Sequence, residues 1–376
     1  MTKVLIIGMT ENPGGMESFV LNYLKRLDQT GLYFDFLSNT LNDIAYEDKF
    51  KEMGSNMYHI PPFGKSPIQY KRQLQKFFKE HASNYDAIWV HLNSLANIDY
   101  LKLAKAYNIP RRIVHSHNSQ HMETGFKGTI KRIFHNKNRN ILKDYATDFW
   151  ACSEVAADFF FEDSIRKGVE IIPNAIDVYK SQFNSKSRDY IRQQYDISPD
   201  TFVLGNVGRL HYQKNQEFML EVFHALHNIE KNSKLILVGD GPDREMLRQK
   251  VNEYNLEEAV IFTGVQSNIS EWLSSFDVFF FPSRFEGLSI AALEAQANGL
   301  PIITSTGVTT EINITDLVTF LNFKEPISLW VETLLSFKGT PNRQAQDLIV
   351  KTFIDKHFEI GNESERLKKL LSGKGE

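Results

Sequence analysis

The chain has 376 residues, 42% of them hydrophobic and 24% charged, with a formal net charge of −3. That is too long for a single hydrophobic core and too evenly mixed for a disordered or fibrous chain. One cysteine, Cys152, excludes an internal disulfide framework and suits a reducing cytoplasm. No apolar run approaches the roughly 18 to 20 residues of a membrane-spanning helix. The apolar stretch at residues 4–7 is too short for a secretory leader. A cytoplasmic protein is expected, soluble or held only at a membrane surface.

The elements follow in chain order. "KVLIIG" reads as a buried strand, followed by a glycine turn and a helix around "MESFVLNYLKRL". Then come "YFDFLS", "NMYHI", a helix "QYKRQLQKFFKEH", "YDAIWVHL", a helix "YLKLAKAYN", "RRIVHSH", "DFWACS" and "VEIIPNAI". After the polar segment "NSKSRDYIRQQYDISPD" a second series starts. It runs through "TFVLGNVGRL", "EFMLEVFHALHNI", "KLILVGDG", "DREMLRQKVNEY", "VIFTG", "ISEWLSSF", "DVFFFPS", "SIAALEAQANG" and "PIITS", after which the pattern weakens. Short apolar runs alternating with 3.6-periodic segments predict parallel α/β architecture. Two similar domains are expected, residues 1–180 and 181–355, followed by a charged terminal helix at about 356–376.

Charge is uneven. Residues 1–180 carry 23 Lys+Arg against 20 Asp+Glu, whereas the remainder carries 20 against 26. Residues 111–143 hold eight basic side chains and one acid, Glu123. Within them "GFKGTIKRIFHNKNRNILK" reads as a cationic amphipathic helix, suited to an anionic membrane surface or simply to water. No nucleic-acid partner is expected.

In open parallel sheets ligands sit where strands run into helices, so motifs at those junctions carry the functional argument. Gly14 and Gly15 precede the first helix, where backbone N–H groups meet anions, although the same pair can be a plain structural turn. The glycines at 8, 14 and 15 do not form the dinucleotide fingerprint G-x-G-x-x-G. Gly208 closes the strand at 202–207, and Arg209 and Lys214 flank the loop beyond it. Two permanent cations there suit a diphosphate, though both could be ordinary surface residues. In "FFFPSRFEGLSIAALEAQANGLPIITS" the strand gives way to Glu286, a turn at Gly287, Leu288 and Ser289, and a helix carrying Glu294. Ser289 is expected to cap that helix. Amides around Gly287 would face a phosphate, and the two carboxylates would accept hydrogen bonds from sugar hydroxyls. Glutamates at this spacing also arise by chance. "VGDGPDRE" is read as structural, with Asp243 capping the next helix. His115 reads as a structural histidine, and no spacing suggests a metal cluster.

Together "GGMESFVLNYL", "IVHSHNS", "IPNAID", "GRLHYQKNQEF", "LVGDGPDREMLR", "FTGVQSNISEWLSSFDVFFFPS" and the E-x7-E segment "EGLSIAALE" resemble the retaining GT-B glycosyltransferases of family 4. The polysaccharide-building type, capsular and exopolysaccharide, is the nearest in pattern. The resemblance implies two doubly wound Rossmann-like domains facing a cleft. An acceptor would lie on the first and a nucleotide-diphosphate sugar, UDP-linked by expectation, on the second, with the terminal helix crossing back. It implies that Arg209 and Lys214 grip the diphosphate with Gly15, that Glu286 contacts the sugar and Glu294 the ribose, that Gly264 and Val265 lie against the base, and that His117 stands beside the transferred sugar. The chain has "EGLS" where "EGFG" is common, and Gln266 where arginine is common. The implied reaction is hexose transfer with retention to a glycan or lipid-linked acceptor, without metal or other cofactor. A non-catalytic subunit of the same fold and a nucleotide-sugar epimerase are the alternatives. A dehydrogenase is disfavoured by the missing fingerprint.

Overall fold

The computed structural model describes residues 2–27, 31–121, 125–339 and 343–373. The chain divides into two compact units, one formed by Met1–Ala175 with Ile360–Glu376 and the other by Ile176–Glu359. The division falls at 175/176 and 359/360, slightly displaced from the 180 and 355 read from composition.

In the first unit seven parallel strands, β1 (Thr2–Ile7), β2 (Leu32–Ser38), β3 (Met57–His59), β4 (Ala87–Leu92), β5 (Arg111–Ser116), β6 (Asp148–Ala151) and β7 (Glu170–Ile171), stand in the order β3-β2-β1-β4-β5-β6-β7. The second unit has six parallel strands, β8 (Phe202–Val207), β9 (Ser233–Val238), β10 (Val260–Gly264), β11 (Val278–Phe281), β12 (Ile302–Ser305) and β13 (Val318–Leu321), in the order β10-β9-β8-β11-β12-β13. Both are doubly wound, and each reverses direction between two central strands, β1 and β4 in one and β8 and β11 in the other. The strand β13 lies in the region where the sequence pattern weakens.

The continuous apolar runs follow from burial on both faces. Val4 and Ile6 point into one cluster while Leu5 and Ile7 point into another, as the two-residue period requires. In β11, Val278 and Phe280 face one side and Phe279 and Phe281 the other. Helix Ile360–Leu371 belongs to the first unit, where Ile360, Leu367 and Leu371 join Phe19, Val20 and Leu24 in one cluster. Among the described residues no helix is long and apolar enough to cross a membrane.

Candidate active site

The second unit places four of its predicted residues at the point where its strand order reverses, whereas Gly264 and Val265 lie at the end of the edge strand β10. Gly208, Arg209 and Lys214 follow β8, and Glu286 follows the neighbouring β11. Lys214 Nζ lies 2.7 Å from Glu286 Oε1 and 4.8 Å from the centre of the Phe281 ring, both charged side chains being largely shielded from water. Arg209 is exposed. The two loops are stitched together by groups the sequence reading passed over. Gln213 Nε2 donates to Phe285 O (3.1 Å), Gln213 O accepts from Arg284 N (2.8 Å), and Asn215 Nδ2 donates to Pro282 O (3.2 Å). Asn215 starts helix Gln216–Ile229 in the left-handed region, φ 58°, which asparagine tolerates. Arg284 stacks over the Tyr212 ring at 4.4 Å, and its Nε is buried without a hydrogen-bond partner.

Glycines fix the floor of this edge. A Cβ on Gly239 (φ +134°) would lie 2.1 Å from Gly208 O, and one on Gly241 would lie 2.2 Å from Leu210 O. Only glycine lets the loop after β9 press against the cation-bearing loop. Gly264 is left-handed (φ +70°), and Val265 beyond it is 80% exposed at the end of β10.

Three local expectations are corrected. Gly287 has no positive φ, and a side chain there would meet open space, so its turn does not demand glycine. Ser289 sits at the start of helix Ile290–Ala297 without making a side-chain capping bond, and Asp243 does the same before Arg244–Glu253. Leu288 is a core side chain in the cluster that holds Phe279 and Phe281 of β11. Glu294 lies in the second turn of its helix, where burial pushes the carboxyl up to about 7 against a lowering pull from Lys180.

In the first unit Gly14 and Gly15 open helix Gly15–Leu27 with ordinary backbone angles. A Cβ on Gly14 would meet Glu17 Oε2 at 2.8 Å, whereas Gly15 is open. Glu17 is buried and accepts from Thr10 N (3.1 Å) and Thr10 Oγ1 (2.7 Å), so the turn already carries a carboxylate.

His117, just past β5, does not stand alone. Its Nε2 is 2.8 Å from His91 Nδ1 at the end of β4, and its ring lies 4.4 Å, centre to centre, from His115. Loss of water contact pushes His117 down to about 3 and holds His91 and His115 well below the usual histidine range. Ring nitrogens of all three lie within 4.8 Å of one another, as do ligand atoms of Asp43, Glu47 and His59. Spacing along the chain hides the first grouping, because β4 and β5 pair in register at His91 and His115 and so bring together residues 24 positions apart. Glu47 is already engaged by Lys51 Nζ (2.8 Å) and Ile44 N (2.9 Å).

The profile of the Glycosyl transferases group 1 family matches residues 187–326, and that of Glycosyltransferase Family 4 matches residues 13–180. EpsF of Bacillus subtilis (strain 168), whose name places it among glycosyltransferases, is 32% identical over 350 residues, covering 91% of this chain and 90% of its own. The chain belongs to the group 1, family 4 glycosyltransferases of GT-B fold. An Escherichia coli UDP-Gal:alpha-D-GlcNAc-diphosphoundecaprenol alpha-1,3-galactosyltransferase is 32% identical over 140 residues, covering 36% of each chain. Among solved structures, Anabaena Alr3699/HepE in complex with UDP and glucose superimposes with a TM-score of 0.79 over 99% of this chain and all of that one, at 16% identity. WaaG, described as involved in lipopolysaccharide biosynthesis, superimposes at 0.74 over 98% of this chain and all of its own, at 15% identity.

Proposed function

We propose that this glycosyltransferase is a retaining, metal-independent hexosyltransferase. It moves a sugar from a UDP-sugar to a glycan or lipid-linked oligosaccharide, in building a capsule or exopolysaccharide. The observation that carries this reading is the meeting of Lys214 and Glu286 at 2.7 Å on the loops after β8 and β11, beside Arg209, where an open α/β sheet takes its ligand. The ion pair holds both groups ready. An arriving diphosphate takes the ammonium, and the carboxylate is released to accept hydrogen bonds from the sugar.

The barrier is departure of the diphosphate from an oxocarbenium-like sugar. Arg209, Lys214 and backbone N–H groups near Gly287 stabilise the charge growing on the leaving group. Within the same unit Glu294 takes the ribose, and Gly264 and Val265 the base. His117, neutral because of its burial, binds the sugar without placing a second positive charge beside the forming cation. The leaving phosphate takes the acceptor proton, so no enzymic base is needed. UDP and UDP-glucose in the HepE structures, and the UDP-sugar and diphosphoundecaprenol in the galactosyltransferase's name, support this choice of donor and acceptor.

Helix Gly125–Ile141 supports a membrane-borne acceptor. It buries Gly128, His135 and Asn138, while Phe126, Ile130, Ile133 and Phe134 are 82%, 39%, 61% and 49% exposed. Those four fall at i, i+4, i+7 and i+8, one stripe opposite the buried face, with Lys127, Lys131, Arg132 and Lys137 alongside. A polar inner face and an apolar, cation-flanked outer face fit the surface of an anionic bilayer. Flotation with anionic but not neutral vesicles is expected, and should be lost in Phe126→Ser/Ile133→Ser. Equal flotation with both vesicle types would remove the membrane from this account.

The central test is donor screening. One UDP-sugar should stabilise the protein thermally and release UDP when acceptor is supplied. Lys214→Ala should lower kcat/KM about 10²- to 10³-fold with the fold intact. Wild-type turnover in that variant would discard the role given to the pair. Sugar interconversion without any acceptor would point instead to epimerisation, and no donor response at all to a non-catalytic subunit.

A further inference from the structure

We infer that His91 is a positioning residue that sets the tautomer of His117, so that His117 presents an Nδ1–H donor rather than a bare nitrogen to the sugar. The functional half of this rests on the assignment of His117 to the sugar made above.

Trp89 Nε1–H, which can only donate, lies 3.3 Å from His115 Nδ1. His115 Nδ1 must therefore accept, and the neutral ring carries its proton on Nε2. That Nε2 is buried without a partner, and so is Nε2 of His91. Between His91 Nδ1 and His117 Nε2, 2.8 Å apart, there is room for one proton. If His117 Nε2–H donated, His91 would be protonated at Nε2. Two orphaned N–H donors would then be buried in adjacent rings whose centres are 5.2 Å apart. If His91 Nδ1–H donates, its Nε2 is a bare acceptor, and the His115 Nε2–H in the neighbouring ring, 5.2 Å away centre to centre, is the one buried donor of the two rings left without an acceptor. The second arrangement is favoured, because a lone buried donor costs about 1–3 kcal/mol and two like ones cost more. It places the His117 proton on Nδ1.

The surroundings hold the arrangement still. Phe19 packs against all three rings, with centres 5.0 to 5.9 Å away. A Cβ at Gly8 (φ +117°) would lie 2.0 Å from His91 O, so the turn after β1 closes directly on this strand end. A neutral, fixed N–H can donate to a hydroxyl oxygen of the sugar, and it cannot drift to the acceptor form. This is the logic by which the partner of one imidazole nitrogen decides what the other offers.

The test reads the tautomer directly. In protein carrying ¹⁵N-histidine, long-range ¹H–¹⁵N spectra should show His117, identified by its loss in His117→Asn, protonated at Nδ1 and bare at Nε2. His91→Asn keeps an N–H donor at the same place, so the tautomer should persist and transfer stay within about threefold of wild type. His91→Asp offers only an acceptor, so the proton should move to Nε2 and kcat fall about tenfold or more, with KM little changed. If the Asp variant fails to fold, the wild-type and Asn spectra still decide. A wild-type His117 protonated at Nε2 would overturn the inference. So would a stoichiometric metal ion found on the trio by elemental analysis. If the tautomer follows the Asn/Asp pair but His117→Ala transfers sugar normally, His91 still positions His117, and it is the sugar-binding assignment that falls.

Discussion

Glu294 shows how one side chain can be read two ways. Its carboxyl is raised to about 7 from an ordinary 4.5, mainly by burial. The folded state therefore holds the proton more tightly than the unfolded chain does. The resulting penalty is absent below pH 4.5, grows between 4.5 and 7, and is complete above 7, at about 3 kcal/mol. Glu294→Gln removes it, so the variant should melt above wild type at pH 8 and level with it near pH 4.5. A gap that ignores pH would show that the carboxyl is not buried as described. If the same group accepts from ribose hydroxyls, the variant should gain stability and lose nucleotide affinity together.

At the scale of elements, glycine placement is dictated by neighbours. Gly205 in β8 faces Phe276, whose ring carbons would lie 2.0 to 2.2 Å from an added Cβ. Both are fully buried, so neither can yield cheaply. Gly205→Ala should cost about 2–3 kcal/mol through overpacking, read as a lower denaturation midpoint. Gly205→Ala/Phe276→Leu should recover part of that loss. No recovery would mean that the strain lies elsewhere. The sequence shows this glycine only as an interruption in an apolar strand. Its cause, a ring 71 positions away, becomes visible once β8 and β11 pair.

For the whole molecule, the two units should respond to acid in opposite directions. In the first, His117 has a folded pKa of about 3 against an ordinary 6.5, and His91 and His115 are lowered as well. Stability from such groups is present above pH 6.5 and is lost as pH falls, by about 2 kcal/mol for His117 alone at pH 5. In the second, protonation of Glu294 relieves a penalty over the same range. Calorimetry at pH 7.5 and 5.5 should therefore show the transition of the first unit moving down and the contribution from Glu294 moving the second up. Parallel shifts of equal size would contradict both burial arguments.

The alternation of short apolar runs with helical periods was enough, in the linear chain, to establish two parallel α/β units, because burial on both faces leaves a strand no polar residue to vary. Local chemistry also marked Arg209, Lys214 and Glu286, since each follows a strand where loops meet ligands. The pairing of Lys214 with Glu286, 72 positions apart, was decided by the adjacency of β8 and β11. The joining of His91 to His117 was decided by the register of β4 with β5. Hydrogen bonds and ion pairs act over about 3 Å, and sequence distance carries no information on that length until sheet order and register bring the partners together.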